Sequence, residues 1–404
     1  AIKLLAPCDY DQRITLCDGI DIRFTDVGHL LGSAAIEMWI TEGDISKKIV
    51  FSGDVGNLDQ PIIKDPKKVT EADYILIEST YGDRVHGDVR PDYVGEFTRI
   101  LKETFDRGGN VVVPSFAVGR TQELLYFIRE IKEKNLLPDY PNFEVYVDSP
   151  LAVEATHVFK QNMVECYDEE TKALVERGIN PIDFPELKLS VTSEESKNIN
   201  FDMTPKVIIS AAGMCDAGRI RHHLKHNLWR EECSVVFAGY QAEGTLGRLL
   251  QDGAPAVKIF GEEIDVKAHI ETLDGISGHA DRDGLLTWAA AFEQKPKYVF
   301  VVHGNDESCE SLTDALNTQL GLTAKAPYSG SEFDLIKGVW IKETEPVPVE
   351  AETQATRKAT GIYTRLVDAG QMLMDVIARN QGGANQDLTR FTEQILALCE
   401  KWNR

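Results

Sequence analysis

Five ionisable residues stand where an apolar run of the chain ends: His29 after IDIRFTDVG, Asp54 after KIVFSG, Glu78 after DYILI, His279 after HIETLDGISG and His303 after YVFVV. Strand ends that converge on one rim are where layered α/β folds build active sites. Taken singly, each has a plainer alternative. A lone histidine beside a strand is commonly a satisfied core or turn residue, and an aspartate set in SGDVG commonly shapes a turn. Five such placements together point further, and Gly28, Gly53, Gly278 and Gly304 alongside them leave room for a metal or substrate to approach the backbone. Histidine and aspartate are ligand types expected for zinc or manganese, and a carboxylate can bridge two ions where an imidazole cannot. The chemistry this set spells is hydrolysis at a two-metal site.

The elements that must carry these residues can be read from apolar patterning. Three β-branched runs in the first 80 residues, Ile20 to Phe24, Lys48 to Phe51 and Tyr74 to Ile77, predict strands. After Gly82 strand alternates with helix: Asn110 to Val113 then Thr121 to Ile131, Glu144 to Val147 then Ala152 to Phe159, and Lys206 to Ile209 then Arg219 to Leu224. That alternation predicts a parallel sheet covered by helices. Strand-like runs follow at Ser234 to Phe237, Ala256 to Phe260, Asp265 to Thr272, Tyr298 to Val302 and Asp334 to Trp340, so the middle reads as an insertion into a β-rich frame. The acidic, proline-spaced stretch Glu343 to Glu350 reads as a linker. Beyond it two helical segments are expected. In the second, Leu388, Phe391, Ile395, Leu398 and Trp402 line one face, to pack on the chain's own body or to pair two copies.

Composition narrows the partners. With 404 residues, 43% hydrophobic and 27% charged, the chain is neither disordered nor fibrous and has length for two to three domains at roughly 150 residues each. Its 43 Lys and Arg against 65 Asp and Glu leave a net charge of −22, which repels nucleic acid and anionic membrane unless a local basic site intervenes. No apolar run reaches the roughly 18 residues of a membrane span, and no secretory signal opens the chain, so a cytoplasmic protein is expected. Seven cysteines without CxxC spacing argue against a disulfide framework and a thiolate zinc site.

Three glycine- and serine-containing stretches, PSFAVGRTQELL, DSPLAVEAT and SAAGMCDAGRIRHH, each join a strand to a helix and offer backbone N–H groups to an anion. Within them Ser115, Arg120, Ser149, Gly213, Arg219 and Arg221, with Ser277 beside His279, are the candidate contacts to a phosphate backbone; for any one loop alone a tight turn explains as much. RIRHHLKH, from Arg219 to His226, is the densest basic stretch, and a solvated helix face explains its histidines better than a metal site.

The strings DVGHLLGSA, VFSGDVG, ILIESTYGDR, VVPSFAVGRTQELL, VDSPLA, IISAAGMCDAGRIRHHL, VFAGYQAEGTLGR, ISGHAD and VVHG, in this order from about residue 20 to 340, resemble the motifs of metallo-β-lactamase-fold nucleases carrying a β-CASP insert, the group of RNase J and the mRNA 3′-end endonuclease. The resemblance implies an α/β fold: a metallo-β-lactamase αββα sandwich, incomplete at its N-terminus, over 1–83 and 253–343, a Rossmann-like insert over 84–252, a linker at 344–350 and a helical extension over 351–404. It implies that His29 holds one metal, His303 a second and Asp54 both. Glu78 would orient His279, which would contact the scissile phosphate or protonate the leaving oxygen. The family's HxHxDH motif should precede His29, yet residues 1–28 contain no histidine. An incompletely represented protein is therefore expected, with a degenerate protein that binds without cutting as the alternative. These residues alone would hold metal weakly.

The implied activity is metal-dependent ribonuclease action: two divalent ions, zinc before manganese and about 4 Å apart, activate a hydroxide that attacks the phosphorus in line. Single-stranded RNA is the expected substrate, DNA the alternative, and a homodimer is compatible with the terminal helices. A hydrolase of small esters fits poorly, because a small substrate needs no large cap with phosphate loops.

Overall fold

Strand polarity in the larger sheet decides where the chemistry can sit. In the computed structural model, which describes residues 5–87, 91–273, 275–347 and 385–402 with Leu373, Val376 and Ile377, this sheet has seven strands. Across it lie β1 (Ile14–Cys17), β2 (Ile20–Asp26), β3 (Ala34–Glu42), β4 (Ile45–Phe51), β5 (Tyr74–Ile77), β14 (Tyr298–Val301) and β15 (Ala324–Lys325), in that order. The first four form an antiparallel meander, with Phe24 opposite Ile36 and Ile36 opposite Phe51. From β4 through β5 and β14 to β15 the pairing is parallel. It follows that β2, β4, β5 and β14 run the same way and end on one rim.

One face of this sheet, with Val50, Ile75, Ile77, Val299 and Val301, buries its side chains against α9 (Arg282–Ala289) and α10 (Asp306–Gln319). This sheet and its helices supply a β/α layer of the expected sandwich. On the other face Ile49, Tyr74 and Phe300 meet Phe333 and Trp340 of a hairpin, β16 (Glu332–Asp334) and β17 (Val339–Lys342). The run Asp334 to Trp340, expected as one strand, is therefore parts of two, reversed at Gly338 with φ of +71°.

Between β5 and β14 the chain builds a second sheet of six parallel strands: β13 (His269–Thr272), β10 (Ser234–Phe237), β6 (Val111–Pro114), β9 (Lys206–Ser210), β7 (Glu144–Asp148) and β8 (Leu187–Ser190), in spatial order. Its central runs VVVP, KVIIS and SVVF are buried along their whole length, the pattern of strands covered on both faces. One face packs on α1 (Tyr93–Asp106), α2 (Arg120–Glu133), α3 (Pro150–Gln161) and Leu174 of α5 (Glu169–Glu176), the short α4 (Met163–Cys166) lying between the last two in sequence. The other packs on α6 (Ser193–Phe201), α7 (Ile220–Asn227), α8 (Leu246–Gln251) and a hairpin of β11 (Ala256–Ile259) and β12 (Glu262–Asp265).

Two boundaries differ from expectation. The run Asp265 to Thr272 splits into the end of β12 and all of β13, and β13 pairs with β10 inside the second sheet. The inserted sheet thus takes in a strand ending at Thr272, beyond the expected insert of 84–252, because its edge position is filled by a strand that returns after the β11–β12 hairpin.

The chain divides into two compact units, Ala1–Thr344 and Glu345–Arg404. In the second, the helix Asn385–Trp402 carries the apolar stripe expected for it. Of the other expected helical segment only Leu373, Val376 and Ile377, all helical, are among the described residues; its remainder, and residues 348–350 of the expected linker, lie outside them. No helix among the described residues is long and apolar enough to cross a membrane.

Candidate active site

Four of the five strands that run the same way in the larger sheet each release one site residue just beyond their ends: His29 after β2, Asp54 after β4, Glu78 after β5 and His303 after β14. The turn before Asp54 needs glycine. Gly53 has φ of +60°, and a Cβ there would lie 2.7 Å from the Ala34 carbonyl oxygen. His303 itself adopts φ of +56°, a left-handed backbone that non-glycine residues seldom take and that recurs at functional sites. The fifth residue arrives from the inserted sheet. Beyond β13 the chain forms a bridge pairing His279 with Gly56, the Ala280 N–H donates to Val55 O at 2.8 Å, and the Asn57 N–H donates to Gly278 O at 3.0 Å. His279 is thereby stitched to the loop that carries Asp54.

The ring placement follows from hydrogen bonds. His29 Nδ1 lies 3.0 Å from Gly278 O, a contact that puts the proton on Nδ1 and leaves Nε2 as a donor of electrons, 3.8 Å from Asp54 Oδ2. On the other side, His303 Nδ1 lies 3.4 Å from Asp54 Oδ1 and 3.3 Å from Thr80 Oγ1. Asp54 thus offers one oxygen to each histidine. The closest ring pair is His29 with His279, centroids 4.3 Å apart, and Gly278 permits it: a Cβ there would meet the His29 ring at 3.1 Å.

Glu78 is 2% exposed and accepts from Val55 N at 2.6 Å, Thr80 N at 3.2 Å and His279 Nδ1 at 3.1 Å. Burial alone would raise its pKa, but these donors, His279 foremost, outweigh it and hold the carboxyl below its ordinary value. The same contact works in reverse on His279: burial would lower its pKa, yet the Glu78 hydrogen bond and charge raise it above the ordinary imidazole value. His29 goes the other way, lowered by burial and by neighbouring His279, which suits a ring that must stay neutral.

The donor chemistry fits divalent ions. Ligand atoms of His29, Asp54 and His279 lie within 4.8 Å of one another, and so do those of Asp54, Glu78 and His303. His29 with Asp54, and His303 with Asp54, define two positions, each served by two protein donors of the types zinc and manganese accept.

Residues not singled out in the sequence complete the surroundings. Gln60 Nε2 donates to Gly28 O and Gly278 O, both at 3.0 Å, and braces the backbone that holds His29. His86 Nε2 lies 3.2 Å from His279 O, and Tyr81 stands edge-on to both His86 and His279. Tyr81 was in sight within ESTYGDR, while His86 lies in a loop whose direction no local pattern fixes.

The seven expected phosphate contacts divide. Ser277 does join the site: its hydroxyl donates to His279 O at 3.2 Å. Arg120 reaches the same loop, donating to Ile276 O at 2.9 Å and to Glu123 at 2.5 Å. Gly213 and Ser115 lie at the carboxyl edge of the inserted sheet, but Ser115 is buried and bonded to Thr121 Oγ1 at 3.0 Å. Ser149 caps α3, accepting from Ala152 N at 3.3 Å. Arg219 is engaged within the protein: its guanidinium donates to Asp148 at 2.7 Å and to Val191 O at 2.6 Å, with the side chain 21% exposed. Neighbouring His223 is fully buried between Asp148, at 2.6 Å, and Asn200, at 2.9 Å, so the α7 face is less solvated than its composition suggested. Arg221 stays near the surface with its guanidinium over Phe260, 4.7 Å from the ring centroid.

A family model described as the Beta-Casp domain matches residues 121–250, and one described as the Zn-dependent metallo-hydrolase RNA specificity domain matches residues 263–327. Ribonuclease TTHA0252 of Thermus thermophilus is 38% identical over 312 residues, covering 77% of this chain and 69% of the relative. The chain belongs to the β-CASP nucleases of metallo-β-lactamase fold. Other similar members are the RNase J-like protein of Methanocaldococcus jannaschii, 31% identical over 78% of this chain and 70% of the relative, and transcription termination factor FttA of Methanosarcina mazei, 29% identical over 80% of this chain. The chain spans 51% of the length of that FttA. As a β-CASP protein it is a metallo-hydrolase; the Beta-Casp match lies within the sheet inserted between β5 and β14, and the RNA specificity match takes in β13 and His279.

Proposed function

We propose that the protein cleaves RNA phosphodiester bonds with divalent ions, zinc before manganese, held by His29, Asp54 and His303. The observation that carries this reading is the Asp54 carboxylate set between two imidazoles, with the Glu78–His279 pair beside it. When bound, such ions supply Lewis acidity that lowers the pKa of water toward neutrality and offsets phosphate charge. The protein's own contribution is orientation and a proton. Gly278 O fixes the His29 tautomer, and Asp54 shares its two oxygens. Glu78 holds His279 by Nδ1, which leaves Nε2 across the ring as the atom that carries a proton to the leaving oxygen. RNA as substrate is supported by the RNA specificity domain match and by the ribonuclease and RNase J-like relatives.

The test is His279→Ala in the intact protein, with cleavage of a labelled RNA and binding of the same RNA measured separately. Cleavage should fall by roughly a hundredfold or more while binding survives. Retained turnover would remove His279 from its role. A reading in which the protein binds without cutting is favoured by the two protein donors per ion position; an unmutated protein that binds RNA and leaves it whole in zinc or manganese would establish it.

A further inference from the structure

At the carboxyl edge of the inserted sheet two aromatic side chains lie open where a buried core had every opportunity to take them. Phe116, just past β6, is 52% exposed, and Tyr240, just past β10, is 58% exposed. Strands β10, β6 and β9 are neighbours and parallel, so the loops after them leave the sheet side by side. Gly213, in the loop after β9, joins the two. A Cβ on Gly213 would lie 3.3 Å from Phe116 Cδ2 and Cε2, so the ring rests against this glycine. The Gln241 side chain donates to Gly213 O at 3.1 Å and to Tyr240 O at 3.3 Å, tying the Tyr240 backbone to the same point.

This edge adjoins the active site. Gly119 in the Phe116 loop packs on Leu30, the neighbour of His29, and Arg120 holds Ile276 O in the stretch leading to His279. Arg84 lies over the Tyr81 ring, 5.4 Å from its centroid, and Tyr81 stands edge-on to His279. Arg84 is paired with Asp83 and Arg248 with Asp252. Exposed rings on loops that adjoin a phosphodiester-cleaving site match the way single strands are held, with bases on aromatic faces.

We propose that Phe116 and Tyr240 form a stacking platform for two bases of single-stranded RNA next to the scissile bond. The inference rests on the RNA-cleaving reading and adds its selectivity. A duplex keeps its base faces stacked inside and cannot use the platform; an unpaired strand can. Stacking on a ring is tolerant of base identity, so the platform selects single strands without selecting sequence.

The test is a binding measurement that does not depend on turnover. A labelled oligouridine and the same sugar–phosphate strand without bases are titrated against the intact protein in chelator. The unmutated protein should prefer the base-bearing strand by roughly tenfold for each stacked base. Phe116→Ala and Tyr240→Ala should each remove roughly one tenfold step, leaving affinity for the abasic strand unchanged. Phe116→Leu, which keeps an apolar contact on Gly213 but has no ring face, should behave like Phe116→Ala, and Phe116→Trp like the unmutated protein. An unchanged preference in the double variant overturns the platform, as does equal binding of both strands by the unmutated protein, which would leave the rings to a protein partner. Either result spares the RNA-cleaving reading. Failure to bind either strand overturns both.

Discussion

At the scale of single residues, the site works because each imidazole has one nitrogen taken up by the protein. Gly278 O claims Nδ1 of His29, and Glu78 claims Nδ1 of His279. In the string GRTQE, Arg120 has a structural engagement beside the phosphate contact its sequence suggested. Its guanidinium, 13% exposed, is fastened to Glu123 and Ile276 O, three residues from His279. Arg120→Ala should therefore lower kcat roughly tenfold to a hundredfold through misplacement of His279, with RNA affinity and its salt dependence unchanged. Steady-state kinetics paired with binding at several salt concentrations checks this. A salt slope reduced by about one would instead return Arg120 to the phosphate path.

At the scale of elements, the meander β2–β3–β4 sets the rim on which His29 and Asp54 stand, and a buried charge ties it together. Glu37 of β3, 1% exposed, accepts from Arg23 and Thr25 of β2 at 2.8 and 2.6 Å and pairs with Lys48 of β4 at 2.7 Å. Burial would raise its pKa, but these three donors lower it from 4.5 to about 2. A carboxyl depressed in the folded state adds stability above its unfolded pKa and loses it as pH falls through the folded one. This contribution, about 3 kcal/mol at most, should be present above pH 4.5 and fade toward pH 2. Urea unfolding across that range should show the loss, and Glu37→Gln should flatten the profile over the same window. An identical profile in the variant would place the acid sensitivity elsewhere. The strand runs themselves were legible: Tyr74 to Ile77 and Ser234 to Phe237 were read to the residue, because apolar β-branched runs bounded by turn formers have one reading. Strand β3 was not, since AAIEMWITE mixes small, charged and aromatic residues, and only its burial between β2 and β4 reveals it. The five site residues were legible by position at strand ends. The inward turn of Arg219 and His223 was not, because it depends on Asp148, distant in sequence and buried beside them.

At the scale of the whole molecule, two sheets meet at one catalytic rim. The larger sheet supplies His29, Asp54, Glu78 and His303, and the inserted sheet hands over His279 across the Gly56 bridge. A protein of net charge −22 has little long-range attraction for RNA, so the recognition we propose is local, at an ion held by Asp54 and at the open rings of Phe116 and Tyr240. The most direct measurement is cleavage of a labelled single-stranded RNA by the intact protein and by its Asp54→Ala variant, after chelation and again after zinc or manganese is restored. The account predicts that the unmutated protein stops on chelation and resumes with added ion, while Asp54→Ala stays inactive at every ion concentration yet still binds the RNA. Cleavage that survives chelation, or an Asp54→Ala protein that regains full activity, would contradict it.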